Sequence, residues 1–312
     1  MKFIKVLVFL SVFCMLEARE VIDYTGVCNI NWSQGYIVCE GESQENQTRY
    51  EAKVAAKVIA QRNLLEVVKG VRIDSYVVVS DGMVSSRIIK TRVEGVISGA
   101  QIISNIYDSS TGYAVAKIKL EMGKDLLSAL LSDPKKLSWN EKIKDAWHSF
   151  NFIPTAQASS SYTTKDISTI KKILKDLREV GNEEATKYVS SILDTIEDVE
   201  YSGVLIDISD VEEFKKAMIV RLVDENGREI YPSNVVSKKT LLRKNTSVGY
   251  MYGIEDARVN PRVFSKPYEI KAHKVYKNRK SNIVLTHKQI EDIKALDKEI
   301  LKKAKIILVL GE

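Results

Sequence analysis

The sequence is poor in the residues on which most enzymes depend. Its 312 residues include three histidines, His148, His273 and His287, and histidine is the side chain most often used for general acid–base catalysis. The HExxH, GxSxG and glycine-rich phosphate-loop patterns do not occur. We therefore expect a protein that is not an enzyme and that uses neither a cofactor nor a metal.

Cysteine and long apolar runs are also scarce. The two cysteines beyond the N-terminal segment, Cys28 and Cys39, do not form a CxxC pair, which argues against thioredoxin-like redox chemistry and a structural zinc site. After the N-terminus, no stretch approaches the roughly 18 apolar residues that a membrane-spanning helix requires. We expect the mature chain to be water-soluble.

The charge is mildly positive and evenly spread. Lysine and arginine number 47 against 41 aspartate and glutamate, a formal net charge of +6. Because acids and bases are interspersed, this balance gives no indication of a nucleic-acid partner. With 45% hydrophobic and 28% charged residues, the composition is that of a globular protein, and the length fits two domains.

The N-terminus has the pattern of a secretory signal peptide over residues 1–18. Lys2 and Lys5 precede a ten-residue apolar core at 6–15, and the small residue Ala18 stands at its exit. Export to the periplasm is therefore expected, with cleavage after Ala18.

Cys14 leaves a second interpretation open. A lipoprotein signal also ends its apolar core at a cysteine, which is then acylated, but the preceding residue is normally small and here it is Phe13. Lipidation at Cys14 would turn a soluble protein into one anchored to a membrane.

The two remaining cysteines lie in a predicted β-hairpin. Two apolar runs over residues 27–39 flank Ser33-Gln34-Gly35, a turn signal between strands. A loop at Ser33-Gln34 places Cys28 opposite Cys39, whereas a register shifted by one residue separates them. We expect a disulfide in the exported chain, and two buried free thiols are the alternative.

Residues 19–133 predict an N-terminal α+β domain. Small apolar residues at three- and four-residue steps predict a helix over 50–68. A short closing helix is predicted over 123–131. Between the two helices, three runs rich in β-branched residues predict strands, over residues 71–80, 87–103 and 113–122.

Residues 134–200 predict a helical linker. One amphipathic helix over 138–150 carries apolar residues at helical spacing, namely Trp139, Ile143, Trp147 and Phe150. This is a candidate docking helix for a partner or a membrane surface, and the alternative is that its aromatic residues pack back on a domain. Two further amphipathic helices are predicted over 166–180 and 183–199.

Residues 201–312 predict a second α+β domain. A helix is expected over 289–303, and the apolar run 305–310 predicts a central strand. Further strands are predicted over 204–208, 218–223, 228–231, 268–276 and 281–285. The fold class predicted for the chain is α+β, with two small α/β domains that have mainly antiparallel sheets and are joined by the helical linker.

The densest group of basic residues lies near the second predicted hairpin of this domain. We call it the basic hairpin cluster; it consists of Lys266, Lys271, Lys274, Lys277, Arg279 and Lys280. A basic tip of this kind suits an anionic partner such as lipid headgroups, a cell-wall polymer or nucleic acid. A solvated hairpin turn is the alternative.

Two segments together resemble a known family. Ala52, Ala56 and Ala60, followed by residues 63–73 and the Val93-Glu-Gly-Val-Ile-Ser-Gly-Ala100 motif, resemble the LPP-twenty lipoprotein family, which includes FlgP-like proteins and modules similar to the N-terminal domain of FlgT. The patterns at 201–207, 224–231, 268–272 and 281–284 look like the C-terminal domain of longer members. The resemblance implies a cell-envelope location and a structural or assembly role, in some members at the flagellar motor.

The residues and the resemblance together predict an exported scaffold or assembly protein of the cell envelope. Its expected partners are envelope or flagellar proteins, including further copies of itself, with peripheral contact to the outer membrane and no nucleic acid. The alternative is a periplasmic binding module for an anionic ligand or envelope polymer, held in a cleft between the domains.

Overall fold

The computed structural model describes residues 19–131, 172–175, 177, 183, 185–190, 201–264 and 266–311. We call residues 19–131 the N-terminal region and 201–311 the C-terminal region. The predicted signal peptide, Cys14 and the predicted docking helix lie outside the described residues, as does most of the two predicted linker helices, whose described residues are helical. Within the described ranges, no helix has both the length and the apolar character needed to cross a membrane.

The N-terminal region is built on a five-stranded antiparallel sheet. Its strands are β1 (Ile22–Thr25), β2 (Cys28–Asn31), β3 (Tyr36–Glu42), β4 (Gln101–Asp108) and β5 (Tyr113–Glu121), in the order β1-β2-β3-β5-β4. In the β2–β3 hairpin Cys28 pairs with Cys39, and a disulfide joins them. The predicted register and the predicted disulfide are therefore confirmed.

One long helix covers this sheet. Helix α1 (Arg49–Gly70) starts at a capping box, in which the Thr48 side chain accepts from the Glu51 N–H and the Glu51 side chain accepts from the Thr48 N–H. It packs on β3 and β5 through a flat face of small residues that includes Ala52, Ala56 and Ala60, all fully buried. The helix predicted over 50–68 is confirmed.

Two of the three strand predictions that follow α1 are wrong. Residues 79–98 form α2 (Val79–Ser85) and α3 (Arg87–Ser98), and residues 71–78 contain an isolated bridge from Arg72 to Val78. The β-branched composition suggested strands, but Ile89, Val93 and Ile97 are buried at a spacing of four, which is a helical face. The Ser86 hydroxyl, which accepts from the Ile89 N–H, caps α3.

The N-terminal region closes with a short helical segment. A π-helical stretch, α4 (Met122–Leu127), leads into α5 (Ser128–Leu131). The closing helix predicted over 123–131 is confirmed.

The C-terminal region has two four-stranded sheets. One is parallel, in the order β10 (Pro267–Lys271), β6 (Gly203–Asp207), β13 (Ile306–Leu310) and β9 (Gly249–Tyr252). The second, mixed sheet has the order β11 (Val275–Tyr276), β12 (Arg279–Val284), β7 (Arg221–Val223) and β8 (Glu229–Tyr231). The final strand β13 is central in its sheet, as predicted.

Short helices connect these strands. They are α6 (Lys238–Lys244), α7 (Ile254–Arg258), α8 (His287–Ala295) and α9 (Lys298–Lys302). The single helix predicted over 289–303 is wrong, because the Asp297 side chain accepts from the Glu299 N–H and starts a new helix. The single strand predicted over 268–276 is also wrong, since its two halves lie in different sheets.

The α+β fold class is confirmed. Among the described residues, six of the ten strand pairs are antiparallel. Both regions contribute side chains to one continuous apolar core, from Ile37 and Leu127 on one side to Ile219 and Tyr250 on the other.

Candidate functional site

Neighbouring acids pair with part of the basic hairpin cluster. The Lys271 ammonium lies 2.6 Å from Asp210 and 3.8 Å from Asp207, and its hydrogen bond holds the pKa of Asp210 below the usual aspartate value. Lys274 lies 3.9 Å from Glu225, and Lys280 forms an ion pair with Glu213. Half of the cluster is therefore balanced by carboxylates.

The other half of the cluster lies over tyrosine rings. The Lys266 ammonium is 5.6 Å from the centroid of Tyr201, and that of Lys277 is 5.1 Å from the centroid of Tyr276. The Arg279 guanidinium lies 4.7 Å from the ring of Tyr76 in the N-terminal region. The six side chains do not form one unpaired positive surface, and an anionic partner at this hairpin stays a prediction.

The two described histidines, His273 and His287, are exposed. Within the ranges that the structure describes, no three histidine, cysteine, aspartate or glutamate side chains converge as a metal site requires.

An ion triad joins the two regions, and in it Asp74 and Arg221 are buried while Glu229 is half-buried. The Arg221 guanidinium donates to Asp74 across the interface at 2.9 Å and to Glu229 at 3.0 Å. Burial lowers the pKa of Arg221, but the two carboxylates more than offset this, and the net pKa is raised. The Arg221 guanidinium thus has a carboxylate partner in each region.

Backbone and polar contacts extend this interface. Met218 donates its N–H to the Arg72 carbonyl at 3.0 Å, and Ile219 donates to Ile73 at 2.8 Å. The Ser33 hydroxyl donates to the Tyr250 carbonyl at 2.6 Å. Among the described residues, these contacts pack the two regions against each other where a cleft between the domains was predicted.

A group of basic residues lies near the N-terminal ends of β9 and β13 in the parallel sheet. The Arg262 guanidinium donates to the carbonyls of Ala304 at 2.7 Å and Thr246 at 2.9 Å. Lys244 is half-buried beside it. Burial, followed by the charges of Arg262, Arg243 and Lys305, lowers the pKa of Lys244 to about 8. The charged lysine at this position opposes folding at neutral pH.

We expect Lys244→Met to stabilise the protein by about 1 kcal/mol at pH 7, after allowance for solvent screening. The folded pKa of about 8 lies below the unfolded value of about 10.4. The free energy of unfolding of the wild-type protein therefore rises between these pH values, because the folded state releases a proton that the unfolded state still binds. As it rises, the stability difference between Lys244→Met and the wild type shrinks. Urea unfolding at pH 7, 9 and 10 measures this change. Lys239→Met, an exposed position in the same helix, should show no such trend.

The clearest interaction surface is the open edge of the N-terminal sheet. Strand β4 is its last strand and pairs with β5. Three large apolar side chains on β4 are exposed, Ile102 at 44%, Ile103 at 51% and Ile106 at 68%. Ile106 pairs with Val115 on β5, and the two neighbours of Val115, Ala114 and Ala116, are buried under α1. Because successive side chains of a strand point to opposite faces, the side chain of Ile106 lies on the sheet face opposite α1.

A groove runs between β4 and the outer flank of α1. It has a volume of about 470 Å³ and is lined by Arg49, Tyr50, Lys53, Val54, Lys57 and Asn105. We call these six residues, together with the exposed side of β4, the β4–α1 surface. Tyr50 is 79% exposed, so an aromatic ring and an aliphatic side chain are open to solvent beside three cations.

Within the described ranges, the cations of this groove are unpaired. Arg49, Lys53 and Lys57 form no ion pair with any described residue. The surface therefore combines three features that a binding site for a protein segment needs: unpaired backbone groups along an edge, exposed apolar area and uncompensated charge.

Sequence reasoning missed this surface. Residues 87–103 were predicted as one strand, which hid the start of β4 at Gln101. The spacing of Arg49, Lys53 and Lys57 along one helix face was visible in the sequence, but the strand order that makes β4 an edge was not.

A family model matches the chain in its C-terminal region. Residues 203–312 match the family model described as the second domain of Treponema pallidum Tp0624. This is 110 of 312 residues, about a third of the chain, and it does not include the β4–α1 surface. No curated protein matches the chain.

Proposed function

We propose that the protein is an exported, non-enzymatic scaffold or assembly protein of the cell envelope, which binds another protein through the β4–α1 surface. The observation that carries the proposal is the exposed apolar edge of β4 beside three cations that form no ion pair with a described residue. The signal-peptide pattern and the resemblance to the LPP-twenty family support the envelope location. A role as a flagellar-motor accessory is the narrower form of the same proposal.

The interface between the two regions supports a scaffold role. The Asp74–Arg221–Glu229 ion triad and backbone hydrogen bonds hold the regions together, which fixes the direction in which β4 faces relative to the C-terminal region. A scaffold needs this property, because its partners must meet at a defined angle.

The alternative, a binding module for an anionic ligand, has less support. Lys271, Lys274 and Lys280 of the basic hairpin cluster already have acidic partners. An anionic ligand would have to displace these carboxylates before it could pair with the three lysines.

A deletion strain tests the proposal. We expect loss of the protein to disturb an envelope structure, visible by electron cryotomography and as increased sensitivity to detergent. Wild-type protein and Val259→Lys, a change at an exposed apolar position of the C-terminal region, should restore the strain. Ile103→Lys/Ile106→Lys should not, because two lysines on the edge oppose strand pairing.

Two results would count against the proposal: a normal envelope in the deletion strain, or full restoration by the double β4 variant at wild-type protein level.

The mass of the mature protein in fractionated cells tests export separately. A chain that starts at Arg19 in the soluble fraction indicates signal-peptide cleavage, and an acylated Cys14 in the membrane fraction indicates a lipoprotein. Full-length protein in the cytoplasm contradicts both.

A further inference from the structure

Strand β4 lacks most of the devices by which proteins protect a sheet edge. Exposed edges usually carry lysine or proline, or are very short, whereas β4 spans eight residues, QIISNIYD, with neither. The devices it does have are one irregularity in its pairing, between Ile102 and Ser104, and a charged residue, Asp108, at its end. The remainder, from Ser104 to Asp108, is long enough to pair with another strand.

Helix α1 runs alongside β4 in the opposite direction. Three hydrogen bonds establish this: the Tyr107 hydroxyl donates to the Gln47 carbonyl, the Asn105 amide to Lys53, and the Gln61 amide to Ser98, just before β4. Residue numbers rise along one element as they fall along the other. A strand added beside β4 would therefore lie along the flank of α1 that carries the groove.

The spacing of the cations fits such a strand. Arg49, Lys53 and Lys57 are four residues apart, which is a rise of about 6 Å each along the helix. Alternate residues of a β-strand, which point to the same face, are about 6.6 Å apart. Each cation can therefore meet one side chain of the added strand, and the charge of that side chain should be negative.

The opposite face of the added strand would lie beside Ile106. That residue is 68% exposed and on the sheet face away from α1, so apolar side chains there gain contact with it. The segment that fits the β4–α1 surface is extended, acidic on one face and apolar on the other.

We propose that the β4–α1 surface accepts an extended segment of a partner protein as a sixth strand beside β4, with acidic side chains directed to Arg49, Lys53 and Lys57. This inference rests on the proposed function and names the class of partner. A second copy of the chain fits less well. Two-fold pairing of β4 with β4 would continue the sheet with both α1 helices on one side, and their cations would then face each other.

A synthetic peptide tests the proposal. The probe has about ten residues in which valine and glutamate alternate, with a fluorescent label, and the full mature chain is titrated into it while anisotropy is measured. We expect saturable binding that weakens as salt rises. Lys53→Glu/Lys57→Glu should weaken it at least about tenfold, and Lys90→Glu, a change on α3, should leave it unchanged.

Two control peptides test the mode of binding. An alternating valine–lysine peptide should not bind, because its charge is wrong. A valine–glutamate peptide with a central proline should bind at least about tenfold more weakly, since proline cannot donate the backbone hydrogen bond that a strand needs. Equal binding of all three peptides, or no binding of the first, overturns the proposal.

Light scattering distinguishes the other occupant. A stable dimer that dissociates on Ile106→Lys would assign the edge to a second copy of the chain and overturn the acidic-segment proposal.

The proposed function and the proposed partner class can be tested apart. If the double β4 variant loses complementation while the valine–glutamate peptide does not bind, the surface is functional but its partner is of another chemical class.

Discussion

Replacement of Asp74 by asparagine is expected to lower the free energy of unfolding by about 3 kcal/mol. The change keeps the side-chain shape and one oxygen, Oδ1, which accepts from the N–H groups of Tyr76 and Val77 at 2.8 and 3.1 Å. It also removes the charge that Arg221 meets at 2.9 Å and puts an amide donor opposite a guanidinium donor. The buried Arg221 then has one carboxylate, Glu229, in place of two.

Urea unfolding at neutral pH measures this loss. Glu66→Gln is the matched control, because Glu66 forms an ion pair at 2.8 Å with Lys69 on the exposed side of α1, where such pairs contribute little. We expect the control to change stability by less than about 0.5 kcal/mol. Equal effects of the two substitutions would mean that the triad contributes nothing beyond an exposed pair.

A second measurement locates the effect at the interface. Trp32 packs edge-on against Tyr250 of the C-terminal region, with ring centroids 5.7 Å apart. In a Trp139→Phe/Trp147→Phe background, Trp32 is the only tryptophan of the three in the sequence. We expect its emission to shift towards that of exposed tryptophan at lower urea in Asp74→Asn than in the same background with Asp74.

Local patterns predicted the parts of the fold that short-range physics determines. The β2–β3 hairpin follows from two apolar runs around one turn, and its register placed Cys28 opposite Cys39. Helix α1 was predicted from small apolar residues at helical spacing. The final strand β13 was predicted to be central because it is apolar throughout.

The error over residues 87–98 arose because composition and periodicity disagreed. The run Arg87-Ile-Ile-Lys-Thr-Arg-Val is rich in β-branched residues, yet its buried positions recur every fourth residue. Tertiary burial on one face outweighs a weak intrinsic preference for strand.

The interface triad could not be predicted from the sequence. Asp74 and Arg221 are separated by 147 positions, and neither lies in a motif. Their meeting depends on how the two regions pack, which no local pattern encodes. The same reason hides the β4–α1 surface, since the edge of a sheet is set by strand order.

The close contact between α1 and the sheet leads to the second large prediction. Gly41 on β3 lies under α1, where a Cβ atom would be 2.1 Å from the Ala60 nitrogen and 2.4 Å from the Ala56 carbonyl oxygen. Both are backbone atoms of a 22-residue helix, so no side-chain rotation can relieve the clash. We expect Gly41→Ala to lower the free energy of unfolding by about 3 kcal/mol.

Gly95→Ala is the matched control for this substitution. Gly95 lies within α3, and a Cβ there meets no heavy atom within 4 Å, so alanine should stabilise the helix by about 1 kcal/mol. The opposite signs separate steric exclusion at Gly41 from any general effect of adding a methyl group.

Because α1 must move away from β3 to admit the methyl group of Gly41→Ala, the flank of α1 also moves relative to β4. Gly41→Ala should therefore weaken valine–glutamate peptide binding even where the protein remains folded, and unchanged binding with unchanged stability would show that α1 does not need this contact.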